Sequence, residues 1–123
     1  MGVVHHANYA TYYEQARTEF LRGFGTTYRE MEAAGVMMPV LEVTMQYFAP
    51  AVYDDLLTVR IRLPELPKVR ITFEHEVFNE AGELLNKGKV MLAFMDSTTR
   101  RACRAPKWFL DILRPYFSEA SDS

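Results

Sequence analysis

Two groups of residues have types and spacings that could do chemistry. The first is Gly2-Val3-Val4-His5-His6-Ala7-Asn8-Tyr9, followed further on by Glu14. A glycine-led apolar turn that runs straight into a helix aims backbone N–H groups at whatever docks there, and the helix dipole favours negative charge at that point. The chemistry this suits is stabilisation of a developing oxyanion, while a carboxylate attacks a carbonyl or activates water. Gly2 allows a ligand to come close, and the N–H groups from His6 to Asn8 are the candidate donors. The second group is basic: Lys68 and Arg70, then Arg100, Arg101, Arg104 and Lys107. It suits the phosphates of a long anionic ligand, or is a solvated basic face.

A plain structural role competes with each of these. Glu14 is the carboxylate nearest the turn, but it also stands three positions from Arg17, the spacing of an ion pair on one helix face. His6 can orient substrate or water, or serve only as part of the helix cap. Tyr9, Tyr12 and Tyr13 can line a pocket or form the core stripe of their helix, and the stripe suits Tyr13 best. His5 and His6 are adjacent and so point apart, and His75 stands alone in a strand, so no metal site is expected. His75 sits among Ile71, Phe73 and Val77 and reads as half-buried and hydrogen-bonded. Cys103 reads as inert.

The elements that must position these groups are legible from periodicity. A helix is expected from Asn8 to Arg22, capped by the Asn8 side chain, with Tyr9, Tyr13, Ala16, Phe20 and Phe24 as its apolar stripe and Gly23 or Gly25 at its end. Thr27 and Glu30 have the spacing of a capping box, opening a short second helix that Gly35 closes. The period then becomes two. Leu41, Val43, Met45 and Tyr47 are the inner set of a strand between Pro39 and Phe48. Leu57, Val59, Ile61 and Leu63 form the next, and Val69, Ile71, Phe73, His75 and Val77 the third. Asn79 to Gly82 is a turn, so the third and fourth strands make a hairpin. The fourth, Leu84 to Met95, becomes apolar on both sides from Val90, which calls for cover on both faces, one of them by a partner subunit. Pro106 introduces a last helix, Lys107 to Phe117. The order is that of an α+β layer, one domain over residues 1–117 with a flexible tail at 118–123.

Composition sets the bounds. The chain has 123 residues, 49% hydrophobic and 24% charged, as a globular domain does. A net charge of −2 argues against nucleic acid as a general partner. A lone cysteine and the absence of a signal-peptide pattern or a membrane-length apolar run point to the cytoplasm and against membrane insertion.

This order, with Gly2-Val-Val-His-His-Ala-Asn-Tyr9, Tyr13-Glu14, Ala16-Arg17-Thr18-Glu19, Val43 to Ala51 with Asp54-Asp55, Leu84-Leu85-Asn86 and Arg104-Ala-Pro-Lys107, resembles the hotdog-fold acyl-CoA thioesterases of the 4-hydroxybenzoyl-CoA thioesterase type. The resemblance implies a hotdog fold, an antiparallel sheet wrapped around a long central helix. It implies hydrolysis of a coenzyme A thioester to free acid and CoA, without a cofactor, by a homodimer or homotetramer. His6 is then the leading oxyanion donor, with Tyr9 and Glu14 as further catalytic candidates. Gly2, Val3, Val4, His5 and Asn8 fall on the acyl side of the site, and Lys68, Arg70 and Arg104 on the nucleotide side. The resemblance also carries a departure. Family members have a catalytic Asp two positions before the residue matching Met1, and a first strand before that Asp; these 123 residues hold neither. A polypeptide, or an ancestor, that starts upstream of Met1 is therefore expected, and an in-frame stop codon directly upstream would refute it. Two alternatives remain: a 3-hydroxyacyl-thioester dehydratase pairing His6 with Glu14, and a non-catalytic acyl-CoA-binding protein.

Overall fold

A computed structural model describes residues 2–4 and 8–122, the backbone alone at Val3, Val4 and 118–122. Five strands form one antiparallel sheet in the order β1-β4-β5-β6-β3, where β1 is Gly2–Val4, β3 Val40–Tyr47, β4 Leu56–Arg62, β5 Arg70–Phe78 and β6 Leu84–Ala93. Helix α1, Tyr9–Gly23, lies against the inner face of the sheet, α2 is Tyr28–Ala33, and α3 is Lys107–Asp122. Two short strands, β2 (Val36–Met37) and β7 (Met95–Asp96), pair as a separate ribbon that the periodicity did not reveal.

Local chemistry accounts for these bounds. Asn8 is extended and its Oδ1 accepts from the Thr11 N–H at 3.2 Å, which starts α1. Gly25, at φ +84°, lets the chain turn back so that Gly25 N–H and Thr26 N–H donate to the carbonyls of Arg22 and Leu21. The Thr27 hydroxyl accepts from the Glu30 N–H at 3.0 Å and caps α2. The β5–β6 hairpin closes as expected, Gly82 N–H donating to Asn79 O at 3.0 Å. Residues Ile71, Phe73, His75 and Val77 of β5 and Asn86, Gly88, Val90 and Leu92 of β6 face inward and are buried.

Several expectations need correction. Gly2–Val4 is not a turn: it pairs with Leu56 to Thr58 of β4, an edge that accepts two β-branched residues in extended form. A bulge between Val40 and Glu42 puts Val40, rather than Leu41, opposite the buried Leu92, so Leu41 leaves the inner set. Val69 precedes β5 and is 53% exposed. The buried side of α1 is turned from the expected stripe: Tyr12, Tyr13, Ala16, Arg17 and Leu21 are buried, while Tyr9, Phe20 and Phe24 are partly so. Beyond Val90, β6 still alternates, with Met91 and Ala93 only half-buried on the outer face. Part of the exposed apolar surface lies along β3, at Val40, Leu41, Val43 and Tyr47. The last helix continues past Phe117 to Asp122.

The outer face of the sheet is wet for a stated reason. Register places Arg60 opposite Glu76 and Arg62 opposite Glu74 on one side of β5, and Lys89 and Lys87 opposite the same two acids on the other. Glu74 reaches Arg62 at 3.4 Å and Lys89 at 3.9 Å. These cross-strand charges match each other and need no partner.

Candidate active site

The first turn of α1 opens onto a cleft of about 710 Å³ lined by Asn8, Tyr9, Ala10, Met45, Tyr47, Phe48, Ala49, Pro50 and Ala51. Its walls are apolar and aromatic: the Tyr9 and Tyr47 rings meet edge-on at 5.7 Å, and Tyr47 and Phe48 are more than half exposed. Burial, then the neighbouring Tyr12 and Tyr47 phenols, push the Tyr9 phenol above its ordinary range, so it remains a neutral hydroxyl at neutral pH. No carboxylate lines this cleft among the described residues. It joins a polar helix end to an apolar trough, which can hold an acyl chain with its carbonyl oxygen towards the positive end of a helix dipole.

Below that turn the helix carries polar side chains into the core. Tyr13 is fully buried, its ring stacked on His75 at 4.3 Å, and its hydroxyl donates to Asn86 Oδ1. Burial pushes the Tyr13 phenol strongly upward. Gly88 makes this packing possible, because a β-carbon there would lie 2.6 Å from Tyr13 Cε2 and 2.8 Å from the Thr44 carbonyl oxygen. His75 is fully buried, not half-buried, and its ring nitrogens complete no well-formed hydrogen bond, although the Gly88 and Tyr13 backbones lie close by. Burial, reinforced by the Arg17 guanidinium, lowers its pKa to about 4, so it is neutral near pH 7.

The expected ion pair of Glu14 with Arg17 is not formed. Glu14 is exposed, whereas Arg17 is only 6% exposed and its Nε and Nη1 have no partner. Three residues along a helix bring the two to neighbouring faces, but here the arginine's face is the one turned to the core. Both line a second cavity, of about 400 Å³, with Tyr28, Glu32, Met37, Met38, Pro39, Val40 and Leu92. Glu14 is therefore on the wall of this cavity and not on that of the cleft at Tyr9.

The remaining sequence candidates are spread out. His5 and His6 lie outside the described residues, as do the side chains of Val3 and Val4. Gly2 is exposed, and a β-carbon there would meet only Leu57 O at 3.9 Å, so the fold itself does not require glycine. Lys68, Arg70 and Arg104 are exposed and share one end of the sheet, where the Ala105 N–H donates to Lys68 O at 2.7 Å. Arg70 pairs with Ala93 and Tyr47 with Asn86, so the basic end lies about 23 Å along β6 from the cleft. Among the described residues no group of three His, Cys, Asp or Glu side chains could hold a metal ion. Burial, then the Asp96 carboxylate, push the Cys103 thiol upward, away from the reactive thiolate. The sequence reading missed Arg17 and Asn86 as buried polar groups; the only available signal was that both fall within an otherwise apolar inward set.

An antiparallel sheet carrying one long helix, whose N-terminus opens into an apolar acyl-sized cleft, defines a hotdog-type thioester-handling protein. Residues 1–113 match the thioesterase-like superfamily, and the chain belongs to that family. It is similar to an acyl-CoA thioester hydrolase, YbgC, of Escherichia coli O6:H1, at 32% identity over 106 residues, 86% of this chain and 79% of that one. A relative from Aquifex aeolicus is 42% identical over 79 residues, a match spanning 64% of this chain and 62% of that protein. The crystal structure of a DHNA-CoA thioesterase from Staphylococcus aureus superposes with a TM-score of 0.80 at 28% identity, over 95% of this chain and 78% of that one. Among the described residues no helix is long and apolar enough to cross a membrane.

Proposed function

We propose that this chain hydrolyses acyl-CoA thioesters to free acid and CoA. The observation that carries the reading is the apolar cleft at the first turn of α1, found in a member of a thioesterase-like family. An acyl group fills the aromatic wall of Tyr9 and Tyr47. Its carbonyl oxygen faces the helix N-terminus, where charge developing on that oxygen is stabilised. Water is the only other reactant, so no cofactor is needed. His6 is assigned to the donor side of the site by resemblance, and Glu14 is the acid on α1 to be tested as base.

The working form is a homodimer, joined along β3. Val40, Leu41, Val43 and Tyr47 are 50, 50, 44 and 68% exposed on that outer strand, an apolar edge that a second copy would cover. A two-fold axis there reverses one sheet against the other, so the Lys68, Arg70 and Arg104 end of one copy approaches the cleft end of its partner and can meet the CoA phosphates. The single cysteine, Cys103, suits a reducing cytoplasm.

The test is release of CoA, read with a thiol reagent, from a panel of short aliphatic and aromatic acyl-CoA substrates. Turnover of at least one acyl-CoA well above the uncatalysed rate is the expected outcome. Release no faster than the uncatalysed rate for every substrate overturns the reading.

A further inference from the structure

The second cavity holds a buried charge with no ion pair among the described residues. Arg17 is more than nine-tenths buried, with Nε and Nη1 unpartnered, and it lines a space of about 400 Å³. The Tyr28 hydroxyl, on the same wall, also completes no well-formed hydrogen bond. The guanidinium is felt by its neighbours: it lowers the proton affinity of His75 and, against the dominant effect of burial, that of the Tyr28 phenol. A buried cation with free donors, beside a hydroxyl that completes no well-formed hydrogen bond, is costly to keep unless something anionic meets them.

The surroundings select the kind of anion. Glu14 and Glu32 stand at the rim and are exposed, so water screens them, while Arg17 acts from a drier position where attraction is stronger. With two acids and one arginine the lining is net negative, which penalises a doubly charged phosphate more than a singly charged carboxylate. Met37, Met38, Pro39, Val40 and Leu92 make the rest of the wall apolar, as suits the chain that carries the carboxylate. The cavity and the cleft share no lining residue, but they lie along one face of β3. The inner face of β3 runs from Val40, in this cavity, past the half-exposed Val43 to Met45 and Tyr47, in the other. From Ala10 to Arg17 the helix rises about 10 Å, the scale of an adipoyl or suberoyl chain plus the reach of the arginine.

We propose that Arg17 and Tyr28 form a subsite for a carboxylate at the far end of the acyl group, so that the preferred substrates are CoA thioesters of dicarboxylic acids. This rests on the thioesterase reading and adds the substrate class. The two stand or fall separately in one experiment with two arms. In the first arm, kcat/KM is measured for adipoyl-CoA and hexanoyl-CoA, which differ at the chain end by a carboxyl in place of a methyl. The wild-type protein favours adipoyl-CoA by at least about tenfold, and Arg17→Met collapses that ratio while Arg17→Lys retains part of it. A wild-type ratio at or below one, or a ratio that Arg17→Met leaves unaltered, overturns the proposal and spares the thioesterase reading. In the second arm, free adipate is titrated calorimetrically into wild type, Arg17→Met and Tyr28→Phe. Binding that Arg17→Met abolishes and Tyr28→Phe weakens supports the subsite even where no thioester is turned over. Absence of adipate binding to the wild type overturns it.

Discussion

The first turn of α1 and its middle are one helix on one sheet, yet they handle polarity in opposite ways. At the first turn, apart from the Asn8 cap, the polar groups are backbone, and the space is open: Asn8 and Ala10 are exposed and Tyr9 is partly so. In the middle the polar groups are side chains, Tyr13, Arg17, His75 and Asn86, and all four are buried. A helix end provides its hydrogen-bonding capacity without a residue to be selected for it, which is why it can serve as a binding edge for a reacting carbonyl. A buried side-chain cluster must be satisfied atom by atom, and here only the Tyr13–Asn86 bond is made, leaving both His75 nitrogens, Asn86 Nδ2 and two Arg17 nitrogens without a well-formed hydrogen bond. The open end is therefore tolerant and the closed middle is not, and each half can be broken separately.

The largest effect is expected where the middle is most tightly packed. Gly88→Val places a branched side chain against the Tyr13 ring and the backbone of β3, and overpacking of this kind costs about 3 kcal/mol. Urea denaturation should show it, and a loss of only a few tenths would mean that α1 can lift from the sheet freely. The next effect is one of pH. His75 takes its proton near pH 4 in the folded chain and near its ordinary 6.5 in the unfolded one. Between those values the unfolded state binds a proton that the folded state does not, so stability is complete above pH 6.5 and falls as pH drops towards 4. The loss approaches about 3 kcal/mol. Denaturation series at pH 7 and pH 4.5 should differ by much of that amount for the wild type, and the contribution should vanish in His75→Phe; equal slopes in the two proteins would count against it.

A smaller change of opposite sign is expected at Arg17. Replacing an uncompensated buried charge by an apolar side chain of similar length removes a desolvation cost, so Arg17→Met should gain about 1–2 kcal/mol in the absence of ligand. The His75 ring should then titrate at higher pH in nuclear magnetic resonance spectra, because a neighbouring positive charge has gone. Lower stability together with an unmoved His75 titration would show that Arg17 is a structural element of the core and not a ligand group.

The contrast between the two halves also marks what the sequence could show. Caps and turns were legible because their chemistry is local: Asn8 with Thr11, Thr27 with Glu30, and the Asn79 to Gly82 turn are each decided within a few residues. Strand alternation was legible for the same reason, and the combination of motifs identified the hotdog arrangement. Three kinds of fact were not. The bulge at Val40/Glu42 shifts one side chain by a contact with β6, far away in sequence. The rotation of α1 that buries Arg17 is set by the sheet beneath it, and an i,i+3 ion pair looked satisfactory on the helix taken alone. The separation of Glu14, and of the basic end, from the cleft depends on which part of the sheet each residue meets, which no spacing along the chain encodes.

The mildest perturbation sharpens the comparison most, because it separates the cap from the charge at the open end. Asn8→Ala removes the side-chain acceptor that holds the Thr11 N–H and should cost about 1 kcal/mol, a modest fall in melting temperature. It should lower kcat more than it raises KM, since a fraying first turn misplaces donors that matter most when charge develops on the carbonyl oxygen. Asn8→Asp keeps an acceptor at the same place and should restore stability, because a carboxylate is a good cap and suits the helix dipole. Its charge, however, sits where the oxyanion is expected to form and opposes it. Asn8→Asp should therefore be as stable as the wild type and slower than it with every acyl-CoA. Undiminished turnover in Asn8→Asp would place the reacting carbonyl away from the first turn of α1 and leave the cleft at Tyr9 and Tyr47 as an acyl-chain trough alone.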